Sequence, residues 1–219
     1  MPQITPSVRL RLTEVFFSLQ GESTRVGLPT VFIRLSGCPL RCLWCDTTYS
    51  FAAGQWRTLE EVLNEVASHG ARHICVTGGE PLAQKSCLAL LTALCDAGYS
   101  VSLETSGALD ISGVDPRVSK IMDLKAPGSG EEAKNRWENL EQLTRQDELK
   151  LVLKNEADYL WAREQVQQRQ LDLRCEVLFA PVQSSLAPAQ LAEWILRDHL
   201  QVRMQVQLHK IIWGSSPGR

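Results

Sequence analysis

Residues 37–48 read GCPLRCLWCDTT, and they follow an apolar run, residues 31–35, that is typical of a β-strand. This stretch places Cys38, Cys42 and Cys45 in a C-x3-C-x2-C spacing, so three thiolates share one short loop. Thiolate sulfur favours zinc, copper(I) or iron-sulfur clusters. A structural zinc site or a ferredoxin cluster normally has four protein ligands, so three cysteines leave one position of a cluster open. A zinc loop with a distant fourth ligand, or three unrelated thiols, also fits this spacing.

Segments with strand and helix patterns alternate through the rest of the chain. A short extended piece is predicted at residues 12–19, and strands at residues 29–35, 73–77, 99–103, 120–124, 148–153, 174–179 and 201–208. One helix is predicted to begin at the capping box of Thr58 and Glu61, and others to cover residues 87–95, 137–143, 157–168 and 188–195. Such alternation produces right-handed βαβ units. We therefore expect an α/β fold, an incomplete (β/α)6-type TIM-like barrel with a mostly parallel sheet, as a single domain over residues 1–219.

Polar or glycine-rich groups stand where four of these strands end. They are the cysteine loop, Gly78-Gly79-Glu80-Pro81, Glu104-Thr105-Ser106 and Asp123-Leu124-Lys125. In barrels of this kind the chemistry lies at the carboxyl ends of the strands. We therefore expect these four groups to meet on one rim and to form the functional site.

Composition favours an intracellular protein that acts on a small molecule. The 23 basic and 25 acidic side chains give a formal net charge of -2, which offers no electrostatic basis for binding nucleic acid or an anionic membrane. No leader-like segment or spanning apolar run is apparent, so we expect a cytoplasmic protein. Seven cysteines, three of them crowded together, argue for metal and against a disulfide framework. The other four are expected to be small buried hydrophobes: Cys75, Cys87, Cys95 and Cys175.

The cysteine spacing, with Trp44 just before the last cysteine and Gly78-Gly79-Glu80-Pro81 later in the chain, resembles the radical S-adenosylmethionine (radical SAM) enzymes. This resemblance implies a [4Fe-4S] cluster on Cys38, Cys42 and Cys45, with S-adenosylmethionine bound at its open iron. The residues that it implies for binding S-adenosylmethionine are Trp44, Cys45, Asp46, Gly78, Gly79, Glu80, Asp123, Lys125 and Gln183.

A second set of residues narrows the resemblance. FFSLQGE at residues 16–22, with Arg34, Cys45-Asp46-Thr47 and Leu208-His209-Lys210, resembles the 7-carboxy-7-deazaguanine synthase family of the queuosine pathway. It implies a lyase that converts 6-carboxy-5,6,7,8-tetrahydropterin to 7-carboxy-7-deazaguanine, a 7-deazapurine, with loss of ammonia. It also implies Mg²⁺ on Thr47, a flavodoxin- or ferredoxin-type electron donor and a homodimer. The substrate-binding residues that it implies are Leu19, Gln20, Gly21, Glu22, Arg34, Thr77 and His209, with His209 reaching the pocket from the last strand.

Several alternatives stay open from the sequence. Ser23 stands where this family commonly has a second glycine, which puts the conformation of that loop in question. Glu104, Asp123, Lys125 and Gln183 could be ordinary residues of solvated loops, and Thr47 a hydroxyl that caps backbone groups. The chain could also be a radical SAM activase that acts on a partner protein, or a non-catalytic iron-sulfur or zinc module. No residue is assigned as a catalytic acid or base, because the cofactor carries out the difficult chemistry.

Overall fold

The computed structural model describes residues 8–52, 54–214, 216 and 218. Its described strands form one nine-stranded sheet in the order β3-β1-β2-β4-β5-β6-β7-β8-β9. The strands are β1 (Arg9–Leu19), β2 (Pro29–Leu35), β3 (Gln55–Thr58), β4 (His73–Gly78), β5 (Ser100–Thr105), β6 (Ser119–Asp123), β7 (Glu148–Leu153), β8 (Glu176–Pro181) and β9 (Arg203–Met204).

The sheet is parallel from β2 through to β9, whereas β1 pairs antiparallel with both β2 and β3. Among the described residues the outer strands β3 and β9 pair with only one neighbour each, so the sheet stays open. The expected incomplete barrel with a mostly parallel sheet is therefore confirmed. The sequence patterns did not predict β3, and they suggested only a short extended piece for β1.

The structure describes five α-helices, of which four lie between strands in the chain and the fifth follows β9. They are α1 (Leu59–Ser68), α2 (Ser86–Asp96), α3 (Glu156–Arg169), α4 (Pro188–Arg197) and α5 (Leu208–Trp213). The capping box at α1 is present, because the Thr58 side chain accepts a hydrogen bond from Glu61 N and the Glu61 carboxylate accepts one from Thr58 N. The helix predicted at residues 137–143 is a 3-10 helix, Trp137–Gln142.

The end of the chain differs from the prediction. Residues 201–208 were expected to form a strand, but only Arg203–Met204 pairs with β8, and Leu208 begins α5. Val202 and Met204 pack against the core, whereas Val206 is exposed. The alternating apolar pattern continues in the sequence, but its side chains are packed against the core only as far as Met204. His209 consequently reaches the site from a helix and not from a strand.

The core lies between the sheet and its helices and is built from leucine, isoleucine and valine side chains with almost no exposure. Cys75, Cys87 and Cys175 are buried as expected, whereas Cys95 is only partly buried against the core. No helix within the described ranges is long and apolar enough to cross a membrane.

Candidate active site

A cavity of about 450 Å³ opens at the carboxyl ends of the parallel strands. This volume is typical of sites for small ligands. Its wall includes every residue that the sequence assigned to substrate, cofactor or metal except Glu80: Leu19, Gln20, Gly21, Glu22, Arg34, Cys38, Cys42, Trp44, Cys45, Asp46, Thr47, Thr77, Gly78, Gly79, Asp123, Lys125, Gln183 and His209. The four strand-end groups thus meet on one rim, as expected.

Backbone hydrogen bonds hold the start of the cysteine loop, and the end of β2 before it, against the end of β4. Glu80 N donates to Gly37 O at 2.8 Å, and Gly79 N donates to Leu35 O at 3.2 Å. A Cβ on Gly79 would overlap Gly37 O and would lie only 2.7 Å from Cys38 Cβ. Glycine is therefore required at position 79 because the cysteine loop lies directly against its backbone.

The three loop cysteines fit a cluster that they share. All three are free thiols, partly buried in the cavity wall. Burial raises the pKa of both Cys38 and Cys42, so a metal must displace their protons on binding. Within the described part of the chain no three Cys, His, Asp or Glu side chains converge on the position of a single ion. In a cubane each cysteine binds a different iron, so its sulfurs need not converge in that way.

Glu80 does not face the cavity. It is fully buried, and its carboxylate accepts hydrogen bonds from Ser106 N at 2.7 Å, from Thr105 Oγ1 at 3.0 Å and from Leu82 N at 2.9 Å. These bonds tie the end of β4 to the end of β5. The Glu80 side chain is thus used within the protein, and its predicted role in binding S-adenosylmethionine stays a prediction.

Glu104 lies between two predicted substrate residues. Its carboxylate accepts hydrogen bonds from Thr77 Oγ1 at 2.8 Å and from Gln20 Nε2 at 3.4 Å. Gln20 is almost completely buried, and its other amide atom accepts a bond from Glu22 N at 3.2 Å. The loop after β1 is thereby fixed to the ends of β4 and β5, which brings the predicted substrate residues together.

A charged network joins Glu22 to residues of β6 and β7 in the cavity wall. Lys150 Nζ lies 2.8 Å from Glu22 Oε2 and 3.5 Å from Asp123 Oδ1, and Lys125 Nζ lies 2.7 Å from Asp123 Oδ2. Burial alone would raise the pKa of Asp123, but the two lysines hold that pKa below its usual value. Sequence reasoning missed Lys150. The sequence feature that could have identified it is a lysine between two leucines in an otherwise apolar strand.

Arg34 is held by an acidic residue outside the predicted set. Its Nε donates to Glu14 Oε1 at 2.7 Å, and Tyr49 OH donates to the same oxygen at 2.9 Å. The guanidinium also lies over the ring of Phe16, which stacks on Phe32 with 4.8 Å between ring centroids. Arg34 therefore forms a charged edge beside a flat aromatic wall.

The last helix closes one side of the cavity. Leu208 N donates to Gly21 O at 2.9 Å, and a Cβ on Gly21 would collide with the His209 ring. Lys210 Nζ lies 2.8 Å from Asp46 Oδ2, next to the third loop cysteine. The predicted grouping of His209 with residues 19–22 is thus present, although a helix delivers it.

Thr47 faces the cavity and does not cap the short helix that follows it. Its side chain makes no capping hydrogen bond to Thr48–Ser50, and its hydroxyl lies 3.7 Å from Cys45 Sγ. The alternative of a capping hydroxyl is therefore not what the structure shows. Thr48, its neighbour, is exposed and does not line the cavity.

Comparisons with known proteins agree with this geometry. The Radical SAM superfamily profile matches residues 32–126. A 7-carboxy-7-deazaguanine synthase of Chlorobaculum tepidum is 45% identical over 208 residues, covering 94% of this chain and 94% of that protein. Another, from Koribacter versatilis, is 40% identical over 219 residues, covering 93% of this chain and 97% of its own.

Solved structures support the fold. The crystal structure of QueE from Escherichia coli superposes with a TM-score of 0.75 at 24% identity, covering 92% of this chain and 95% of that chain. Streptococcus suis SuiB bound to the precursor peptide SuiA gives a TM-score of 0.55 at 14% identity, covering 78% of this chain and 46% of that chain.

A three-cysteine loop at the open end of a parallel α/β sheet, matched by that profile, defines a radical SAM enzyme. Such an enzyme uses a [4Fe-4S] cluster and S-adenosylmethionine, as the superfamily implies. Given the identity and coverage of its relatives, the chain belongs to the 7-carboxy-7-deazaguanine synthase family. The resemblance inferred from the sequence motifs is thereby confirmed, as is the prediction of a radical SAM lyase.

Proposed function

We propose that this chain converts 6-carboxy-5,6,7,8-tetrahydropterin to 7-carboxy-7-deazaguanine with loss of ammonia, as a step in queuosine and 7-deazapurine biosynthesis. One observation carries the proposal. The cysteine loop with Gly78 and Gly79 forms one part of the cavity wall, and residues 19–22 with Arg34 and Thr77 form another part of the same wall. A cofactor and a small second substrate therefore fit in one chamber.

The cysteine side of the chamber is suited to the cofactors. Cys38, Cys42 and Cys45 would hold the cluster, while Trp44, Asp46, Gly78, Gly79, Asp123, Lys125 and Gln183 would surround S-adenosylmethionine. When bound, these cofactors supply the radical that removes hydrogen from C6 of the pterin. Asp123 Oδ1 accepts no hydrogen bond from any described residue although it is buried. It therefore has an acceptor position to offer a ligand.

The other side is suited to a flat, polar heterocycle. Pterin edges present amide-like donors and acceptors, which amides, carboxylates and backbone groups can match. Gln20, Glu22 and Glu104 supply such groups, and Leu19, Gly21 and Thr77 complete the wall around them. Arg34 would bind the pterin carboxylate, because a guanidinium stays charged at all relevant pH values. His209 would close the pocket from α5.

A divalent cation would sit beside Thr47. Mg²⁺ commonly takes few protein oxygens and completes its octahedron with substrate and water. The Thr47 hydroxyl is available for this role, because it lines the cavity and caps no backbone group. The pterin carboxylate and carbonyl would supply further oxygens.

The remaining partners are those implied by the family. We propose a flavodoxin- or ferredoxin-type electron donor, a homodimer and a cytoplasmic location, with no nucleic acid or membrane as partner. The alternative of an activase that modifies a partner protein is less well supported. Residues 19–22 and Arg34 form a chamber wall for a small heterocycle, which an activase does not require.

The proposal is tested by anaerobic incubation of reconstituted protein with reductant, S-adenosylmethionine, Mg²⁺ and 6-carboxytetrahydropterin, with mass analysis of the product. We expect 7-carboxy-7-deazaguanine and ammonia in equal amounts. Arg34→Ala should weaken pterin binding while unproductive cleavage of S-adenosylmethionine persists. A protein that cleaves S-adenosylmethionine but leaves the pterin unchanged would contradict the proposed substrate.

A further inference from the structure

Lys150 joins two parts of the cavity wall that lie far apart in the sequence. It projects from β7 with only 13% of its side chain exposed, and its ammonium lies 2.8 Å from Glu22 Oε2 and 3.5 Å from Asp123 Oδ1. Lys150 and Glu22 are 128 residues apart in the sequence. A buried ammonium needs a partner, and here it has one on each side.

In the proposed function, the Glu22 and Asp123 carboxylates lie beside different ligands. Glu22 lies in the loop that would bind the pterin, and its other oxygen accepts a hydrogen bond from Gln207 Nε2 at 2.7 Å. Asp123 ends β6 on the side that would bind S-adenosylmethionine, and its second oxygen is paired with Lys125. Lys150 is therefore the link between the two halves.

The two contacts of Lys150 are not equal. The contact with Glu22 is a hydrogen bond, whereas the longer contact with Asp123 Oδ1 is an ion pair that leaves this oxygen without a hydrogen bond from the described residues. A ligand donor that binds Asp123 Oδ1 would partly neutralise it. The ammonium would then be drawn more strongly to Glu22 and would hold that carboxylate in place.

We propose that Lys150 is a positioning residue that couples the cofactor site to the substrate site, so that S-adenosylmethionine and the pterin each bind more tightly when the other is present. The inference rests on the proposed function. Coupling between sites is reciprocal, so it can be measured from either ligand. A residue that only neutralised buried carboxylates would affect both affinities without coupling them.

The test measures binding and not turnover. Cluster-loaded protein without reductant is titrated with S-adenosylmethionine by calorimetry, in the absence and in the presence of saturating 6-carboxytetrahydropterin. In the parent protein we expect the pterin to lower the Kd for S-adenosylmethionine by about five-fold or more. In Lys150→Met the two Kd values should be equal, and Lys150→Arg should restore part of the difference. Lys134→Met, at an exposed lysine outside the cavity wall, should behave as the parent.

A second variant covers the case in which Lys150→Met fails to fold because two buried carboxylates lose their partner. Glu22→Gln leaves Lys150 paired with Asp123 but removes the charge that Lys150 holds on the substrate side. Because Glu22 would also contact the pterin, this variant is titrated at pterin concentrations raised until the pterin site is saturated, and the coupling should again be abolished. If these variants couple the two ligands as strongly as the parent, the inference about Lys150 is wrong. It is also wrong if the parent binds both ligands without coupling, and in both cases the proposed function is unaffected. A parent protein that binds S-adenosylmethionine but not the pterin overturns the proposed function, and the inference with it.

Discussion

Lys210 Nζ lies 2.8 Å from Asp46 Oδ2, so α5 is held to the residue that directly follows the third cysteine of the loop. The contact joins the end of the chain to the cysteine loop across the mouth of the cavity. Partial burial alone would raise the pKa of Asp46, but the hydrogen bond and charge of Lys210 keep that pKa below its usual value. The position of α5 and the order of the cysteine loop are therefore linked.

Lys210→Met should loosen α5 without unfolding the protein. The two side chains are 21% and 49% exposed, and pairs of this kind contribute about 0.2–1 kcal/mol. We expect faster amide hydrogen exchange in residues 205–213 and a loss of at most about 1 kcal/mol in the free energy of unfolding. Lys134→Met serves as the control. Unchanged exchange in residues 205–213 would show that the hydrogen bond of Leu208 N to Gly21 O is sufficient by itself.

Alanine at Cys38, Cys42 or Cys45 should abolish both the charge-transfer absorbance of the cluster and the reductive cleavage of S-adenosylmethionine. Each thiolate is expected to hold a separate iron, so no neighbour can replace it. Cys95→Ala, which lies outside the cavity wall, should retain both properties. Stoichiometric zinc in a fully active, anaerobically purified protein would contradict this prediction.

Thr47→Val should lose the stimulation of turnover by Mg²⁺ while keeping its cluster. Valine has nearly the same shape but lacks the oxygen that the ion would use. The measurement is initial rate against Mg²⁺ concentration, with cluster absorbance recorded in parallel. Thr48→Val, whose side chain is outside the cavity wall, should respond to Mg²⁺ as the parent does. An equal response in Thr47→Val would rule out this oxygen as a ligand.

Ser23 should tolerate glycine better than alanine. It has φ 68° although it is not glycine, and this left-handed conformation costs roughly 1–2 kcal/mol. Ser23 N donates to Gln205 Oε1 at 2.8 Å, and its hydroxyl accepts a bond from Arg25 N at 3.1 Å. The loop thus keeps a left-handed residue where the family commonly has glycine.

Ser23→Ala keeps the strain and loses the hydroxyl, so urea unfolding should show a loss of about 1 kcal/mol. Ser23→Gly loses the same hydrogen bond but relieves the strain, so its free energy of unfolding should lie close to that of the parent. An alanine variant more stable than the glycine variant would be inconsistent with this account.

Tyr49 should ionise at unusually high pH. Partial burial raises its pKa to about 12; the charge of Arg34 opposes this, and the bond to Glu14 adds to it. The ordinary tyrosine pKa is about 10. Because the folded-state pKa is the higher one, the contribution of Tyr49 to stability is full below pH ~10 and is lost as pH rises through ~12.

The difference in tyrosinate absorbance between cluster-free parent and Tyr49→Phe isolates this titration. Glu14→Gln should move its midpoint down towards the ordinary value, because the variant removes the charge that the phenolate would face. An unchanged midpoint in Glu14→Gln would mean that Glu14 does not hold Tyr49, and would remove the support for Glu14 as the residue that orients Arg34.

Local patterns predicted most of the parallel strands to within two residues, because each is a short apolar run bounded by turn residues. The bounds of β2 and β7 agree with the prediction. The end of the chain was mispredicted because residues 201–208 alternate like a strand but pack against the core only at their start. The end of β9 depends on which side chains are buried, and the alternating pattern in the sequence does not show this.

The sequence by itself determined the chemistry of the cysteine loop. Because Cys38, Cys42 and Cys45 lie within eight residues, their spacing alone determines which thiolates can share a cluster. The sequence also brought the cysteine loop, Gly78-Gly79, Glu104-Thr105-Ser106 and Asp123 with Lys125 to one cavity wall, because strand ends in a parallel sheet meet at one edge. The resemblance to the family, and not this geometry, supplied residues 19–22 and His209.

Only the tertiary structure decided which charges pair. Glu14 holds Arg34, Lys150 links Glu22 to Asp123, and Glu80 is turned away from the cavity into the join between β4 and β5. These partners are separated by 20 to 128 residues. The pairing energy depends on the distance between charged atoms and on their burial, and both arise only when the strands assemble.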